Sequence, residues 1–167
     1  LQMDVFDAIR VAGPWDLMIA HPPCTHLAVS GAAHFWRKRQ EQEDALQFVW
    51  DLMTSEVPRW VIENPVSVIS TRIRKPDQVI QPWQFGHAET KATCLWLNGL
   101  PQLEPTDPVE PDYMRRPDGH YYRDRKGKRI SRVHFESRHG GTPGNERWRR
   151  RSRTYVGIGK AMAEQWG

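Results

Sequence analysis

Two short polar segments, each closing an apolar run, hold the residue types that covalent catalysis needs. The first is His21-Pro22-Pro23-Cys24 and the second is Glu63-Asn64-Pro65. A cysteine attacks as its thiolate, and positive charge or a helix N-terminus beside it lowers the thiol pKa. A neighbouring carboxylic acid can donate or accept a proton on the group under attack. Pro22 and Pro23 each fix φ and so stiffen the loop that carries Cys24. A positioned nucleophile requires such rigidity. His21, Cys24 and His26 are also metal-ligand types. Their spacing is tight, no fourth ligand is evident and a metal would quench the thiolate, so no metal site is expected. The second cysteine, Cys94, lies inside an apolar run and reads as core.

Both segments sit where an α/β frame would place a ligand. Residues 15–20 (WDLMIA) are short, apolar and stopped by His-Pro-Pro, which suits a buried strand of a parallel sheet. Residues 33–56 change to helical periodicity, with Ala45, Phe48, Val49, Leu52 and Met53 on one face, and Pro58 ends the helix. Residues 59–63 (RWVIE) form a second strand. Strand, helix and strand make a βαβ unit with parallel strands and a right-handed crossover. Cys24 and Glu63 then share the carboxyl edge of the sheet, the side on which such sheets bind ligands. A third strand is expected at 92–97 before the Asn98-Gly99 turn. Residues 101–117 hold five prolines and read as an extended loop. Residues 120–135 suggest a hairpin turning at Arg125-Lys126-Gly127-Lys128, and residues 154–166 a closing helix. No internal repeat stands out.

The chain has 167 residues, enough for one ordinary domain. With 26% charged residues and no apolar run near 18 residues, a membrane-spanning chain is not expected, and no signal peptide is visible. Two cysteines are too few for a disulfide framework and suggest a reducing compartment. The net charge of +4 hides an asymmetry. Residues 114–153 hold 14 Lys and Arg against 4 Asp and Glu, whereas the rest of the chain is net acidic. A basic segment on an acidic body suits a polyanion partner. Arg123, Arg125, Lys126, Lys128, Arg129 and Arg132, interleaved with Tyr121, Tyr122 and Phe135, fit a ribbon lying on a nucleic-acid backbone, and Arg149, Arg150 and Arg151 could grip phosphates too. The tryptophans read as core and strand-end packing.

DLMIAHPPCTHLAVSG, followed some forty residues on by VIENP, resembles the catalytic core of the DNA (cytosine-5) methyltransferases, in particular the small phage-type members. The resemblance implies that Cys24 attacks C6 of a flipped-out cytosine, that Glu63 holds the ring at N3, and that Asn64 supports the loop. Pro22 and Pro23 would line the base. Base flipping fits, because C6 is out of reach in a stacked duplex. QMDVFD is similar to the segment that contacts the adenine of S-adenosylmethionine, which would make Asp4 that contact. ETKATCLW sits where the family has a base-contacting strand, with Lys91 in the place of its usual arginines. TYVGIGKAMAEQW resembles the closing helix.

The expected fold class is therefore α/β, a partial Rossmann-like methyltransferase sheet with a short basic hairpin or loop insertion. Residues 1–100 form the catalytic core, 101–153 the DNA-binding and target-recognition insertion, and 154–167 a helix returning to the core. The expected cofactor is S-adenosylmethionine, the partner DNA, and the location the cytoplasm of a bacterial or phage-infected cell. The family's glycine-rich first strand and its ribose-binding acid have no counterpart here, and Pro65 replaces a valine. Residues 15–20 would then be an open sheet edge, a pairing liability. An N-terminal segment, a complementing subunit or a homodimer is expected to cover it. Two other functions fit parts of the pattern. Exocyclic-amine methyltransferases share the Pro-Pro pair but follow it with an aromatic residue, where this chain has Cys24. A non-catalytic or complementing DNA-binding subunit fits the incomplete cofactor half, but would need neither the Pro-Pro-Cys nor the Glu-Asn pair.

Overall fold

A computed structural model describes residues 2–139 and 155–167, which fall into two compact units. The first comprises residues up to 80 together with 92–102 and 166–167; the second comprises 81–91 and 103–165. Among the described residues no helix is long and apolar enough to cross a membrane.

The first unit is built on four strands: β1 (Leu17–Ala20), β2 (Arg59–Pro65), β3 (Gln78–Ile80) and β4 (Thr93–Asn98). They lie in the order β1-β2-β4-β3. β1 and β2 are parallel, as the βαβ pattern predicts, with Ala20 beside Ile62. β4 runs antiparallel to both β2 and β3. A parallel neighbour would need a long crossover, usually helical. Between β2 and β4 the only α-helix is the single turn α3 (Ile69–Arg72), followed by β3 and a short 3₁₀ turn (Pro82–Gln84), so the chain returns alongside β2 in the opposite sense. The result is a mixed α/β fold with an open mixed sheet. β3 adds to the expected frame; three residues between Pro76 and Pro82 are too few to show an alternation. β1 is an edge strand, and Ile19 is 38% exposed there.

The expected helix over 33–56 divides in two. Residues Val29–Arg37 form a 3₁₀ segment and Arg39–Met53 form a helix, α2, with the break at Lys38, whose N–H bonds to Phe35 O. The division follows from what each piece must hold. The Val29 N–H donates to Val66 O across the sheet edge, while Gln42 Nε2 donates to His26 O and ties α2 to the loop after β1. α2 buries Leu46, Val49 and Leu52, with Ala45, Phe48 and Met53 half-buried beside them. The core they join includes Leu27, Ile62, Ile69, Cys94 and Trp96. Each large side chain buried there contributes roughly 1.5–3 kcal/mol. A helix α1 (Val5–Ala12) packs Phe6 edge-on against Phe48, with ring centres 5.5 Å apart. The tryptophans divide: Trp60, Trp96 and Trp166 are buried, whereas Trp15, Trp36 and Trp50 are exposed.

In the second unit the expected hairpin is present, with Arg123 opposite Arg129 and Gly127 in the turn, but it is one side of a closed ring of three extended segments. Met114 N–H donates to Ile130 O, Ile130 N–H to Tyr122 O, and Tyr122 N–H to Met114 O, all at 2.9–3.0 Å. Pairings of Arg115 with Tyr121, Arg123 with Arg129, and Tyr113 with Ser131 repeat the same three-way closure. The chain carries a matching eight-residue repeat, YMRRPDGH and YYRDRKGK followed by RISR, so an internal repeat is present after all. Gly119 and Gly127 hold its two turns with φ of +85° and +79°, a conformation glycine adopts without a Cβ penalty. The third turn is replaced by a helix, α4 (Arg132–His139), where a strand arm was expected. The closing helix α5 (Val156–Trp166) begins two residues later than predicted.

At Gly157 in α5, a Cβ would fall 1.9 Å from Phe85 O, whereas at Gly159 it would meet nothing within 4 Å. Gly157→Ala should lower stability by about 1–3 kcal/mol through overpacking. Gly159→Ala should raise it by about 0.5–1 kcal/mol through helix propensity. Urea unfolding of both variants measures the contrast.

Candidate functional site

The parallel register carries past the last paired residues of β1 and β2. Ala20 lies beside Ile62, and the next pair, His21 and Glu63, meets through its side chains: His21 Nδ1 is 3.0 Å from Glu63 Oε2. With the carboxyl ionised, the ring nitrogen donates. One residue further along, Asn64 Nδ2 donates to Pro22 O at 2.9 Å in a buried bond. Asn64 is 1% exposed, and its Oδ1 has no hydrogen-bond partner among the described residues; the same holds for the buried Ser67 Oγ.

The loop after Pro22 is fixed a second time. Ala28 and Ser67 form an antiparallel bridge, Val68 N–H donates to Leu27 O, and Val29 N–H donates to Val66 O. Between these two attachments stands Cys24, exposed, with its carbonyl accepting from Leu27 and Ala28 N–H groups. Pro22 is buried and Pro23 exposed, so one proline anchors the loop and the other lies at its surface. The structure thus gathers five of the expected residues, Cys24, Glu63, Asn64, Pro22 and Pro23, on two adjoining segments. Thr25 and His26, the residues following Cys24, line a cavity of about 150 Å³ with Gly31, Phe35 and Lys38.

His21 is the residue that motif reading passes over, being weighed only as a metal ligand. The signal was the βαβ pattern itself, which brings the residues following β1 beside the carboxyl end of the parallel β2. Among the described residues no group of three or more His, Cys, Asp or Glu is placed to hold a metal ion. The two cysteines differ sharply. Cys94 is buried on β4 opposite Asn64, and burial, reinforced by the Glu63 carboxylate, pushes its thiol pKa up. That keeps it protonated and inert.

Other expected residues lie elsewhere. Asp4 is the N-cap of α1, its carboxylate accepting from Phe6 N–H at 2.9 Å. Lys91 belongs to the second unit, where its Nζ stands 5.5 Å from the centre of the Tyr155 ring. Tyr155 donates to Glu89, and His87 Nε2 accepts from Gly157 N–H.

Of the basic residues, Arg132 pairs with Asp112, which holds its guanidinium even more firmly protonated than usual. Arg129 lies over both the Tyr113 and Tyr121 rings, and Arg123 donates to Gly127 O. Lys126 and Lys128 have no side-chain partner among the described residues, and the same holds for Arg125. Arg149, Arg150 and Arg151 lie outside the described residues.

No family model matches the chain, and comparison with curated proteins found no match.

Iodoacetamide at about pH 8, near the ordinary thiol range, should alkylate Cys24 in the folded protein and reach Cys94 only after unfolding. Peptide mass mapping checks the order; equal modification of both would contradict the burial of Cys94. Asn64→Ala should cost about 1–3 kcal/mol, because it leaves the buried Pro22 carbonyl without a donor. Chemical denaturation against the parent chain measures it.

Proposed function

We propose that this chain carries the catalytic portion of a DNA (cytosine-5) methyltransferase, its α/β unit being part of a Rossmann-like sheet. One observation supports this above the others. An exposed cysteine stands on a loop hydrogen-bonded at two successive residues to a Glu-Asn pair on the parallel neighbouring strand. A purely structural thiol needs neither exposure nor a carboxylate held at the same edge.

The chemistry is conjugate addition to a cytosine in DNA. The Cys24 thiolate forms a bond to C6, and the electron pair of the C5=C6 bond shifts into the ring and onto C5. Glu63 shares a proton with N3 and so offsets the developing negative charge. His21, bonded to one carboxylate oxygen, orients the other toward the base and acts as a positioning residue. C5 then takes an electrophile and loses its hydrogen, after which the C6–S bond breaks and the thiolate leaves. The target base must be unstacked to present C6.

S-adenosylmethionine, the donor implied by the resemblance, supplies the methyl group when bound. The described residues do not form a complete cradle for it. Asp4, the expected adenine contact, uses its carboxylate to cap α1. None of the positive-φ glycines, at 86, 99, 119 and 127, stands in a turn leading out of β1 or β2. No step through the donor is therefore derived from these residues. Its site is assigned to a further segment, a complementing subunit or a second copy that extends the sheet at β1, in a bacterial or phage-infected cell's cytoplasm.

The test is tritium release from DNA carrying [5-³H]cytosine, since addition at C6 labilises the C5 hydrogen without a methyl donor. Release is expected, with complete loss in Cys24→Ser. In Glu63→Gln the rate should fall by about 10²–10⁴-fold, the usual contribution of a general acid. His21→Ala should lower it less, because it acts through Glu63. No release from DNA that the chain binds would favour a non-catalytic, complementing subunit.

A further inference from the structure

The ring of two octads and the following RISR segment in the second unit has no part in the cysteine chemistry, and its charges are divided between two kinds of position. Tyr113, Tyr121 and Arg129 open the two octads and the RISR segment in turn and gather together. The Arg129 guanidinium is 4.2 Å from the centre of the Tyr113 ring and 5.1 Å from that of Tyr121. Arg115 lies 4.3 Å from the Tyr121 ring centre and donates to its hydroxyl. Such cation–π contacts fasten the arginines to the ring, and they occupy the tyrosines that could otherwise stack on bases. The acids are taken up as well: Asp112 pairs with Arg132, Asp118 lies 3.8 Å from Arg116, and Glu110 lies 3.9 Å from Arg129.

The second turn is different. Asp124 Oδ1 accepts from the backbone N–H groups of Lys126 and Lys128, at 2.8 and 2.9 Å, and so folds the turn. Gly127 closes it, and Arg123 clasps the Gly127 carbonyl. Arg125, Lys126 and Lys128 project from this pinned backbone, exposed and without a side-chain partner among the described residues. Three cations within four positions repel one another, and the hydrogen bonds of the turn hold their backbone positions close together. A partner with closely spaced negative charges removes that cost. Residues 124–128 include no apolar side chain, so nothing in the turn would enter a lipid interface. Duplex DNA presents one negative charge per ~1.7 Å of helix axis, a dense line of charge that can offset all three cations at once.

We propose that the octad ring is a DNA-backbone anchor: the Asp124–Lys128 turn contacts phosphates, and the stacked arginines hold the frame without reading bases. The choice of DNA over other polyanions rests on the function proposed above. Contacts of this kind position a protein on the duplex and carry no sequence information.

The test measures binding of a fluorescent duplex of A·T pairs only, which offers no cytosine to Cys24, as sodium chloride is raised from about 50 to 200 mM. The slope of log K against log[salt] reports the phosphates neutralised, at about 0.9 per contact. Arg125→Gln/Lys126→Gln/Lys128→Gln should reduce the magnitude of the slope by about 2.7, and Lys126→Gln alone by about 0.9. The same change is expected on a mixed-sequence duplex. Cys24→Ser should bind with the parent slope, so failure of the cysteine chemistry and failure of the anchor are separately visible. An unchanged slope in the triple variant, or no binding of the A·T duplex at the lowest salt, would overturn the proposal and leave the turn merely solvated. The three side chains are exposed, so the variants should retain the parent's unfolding curve, which serves as the control for folding.

Discussion

The buried hydrogen bond from Asn64 Nδ2 to Pro22 O is the contact on which the candidate site depends. A proline carbonyl at the end of an edge strand has no ladder partner of its own, and left buried and unpaired it would cost about 1–3 kcal/mol. Asn64 supplies the missing donor from the neighbouring strand. Because Pro22 and Pro23 have fixed φ, holding one carbonyl transmits its position to Cys24 with little slack. The second attachment, where 27–29 pair with 66–68, closes the loop from its other end. Cys24 is therefore held on both sides while its own side chain stays exposed.

The arrangement also separates the two thiols by environment instead of by motif. Cys94 and Cys24 are near the same carboxyl-bearing strand, yet one is in the core and the other on the loop. Burial and the Glu63 charge both oppose ionisation of Cys94. Its neutral form is favoured by the fold at ordinary pH, and that stabilisation is lost as pH rises past the free-thiol value toward the raised one.

The first βαβ unit was legible in the sequence because its strands are short apolar runs with hard stops, and the helix between them shows a regular face. The pattern placed Cys24 and Glu63 at one edge of the sheet, while the pairing of His21 with Glu63 is set by a register that the sequence does not reveal. The direction of β4 was not legible. Nothing in TCLWLN states which way it runs; that depends on the short return through α3 and β3, and three residues give no periodicity to read. The split of the crossover at Lys38 reflects tertiary ties from Val29 and Gln42, which override helical propensity. The octads were visible in principle as Tyr-x-Arg and Gly at a spacing of eight. The dense run of charge drew attention to composition and away from period. The roles of Arg129 and Arg132 could not be read from charge alone, because the acids and tyrosines that engage them are brought near only by closure of the ring.

The ring and the sheet also differ in how far along the chain their partners lie. β1 must find β2 across 42 residues, and β4 must then be added from farther on. The three hydrogen bonds that close the ring join residues 8 or 16 apart. Closing short loops costs less entropy and proceeds faster than assembling distant strands. During folding the octads should therefore gain structure ahead of the sheet, and the loop bearing Cys24 should take its final geometry among the last parts of its own unit.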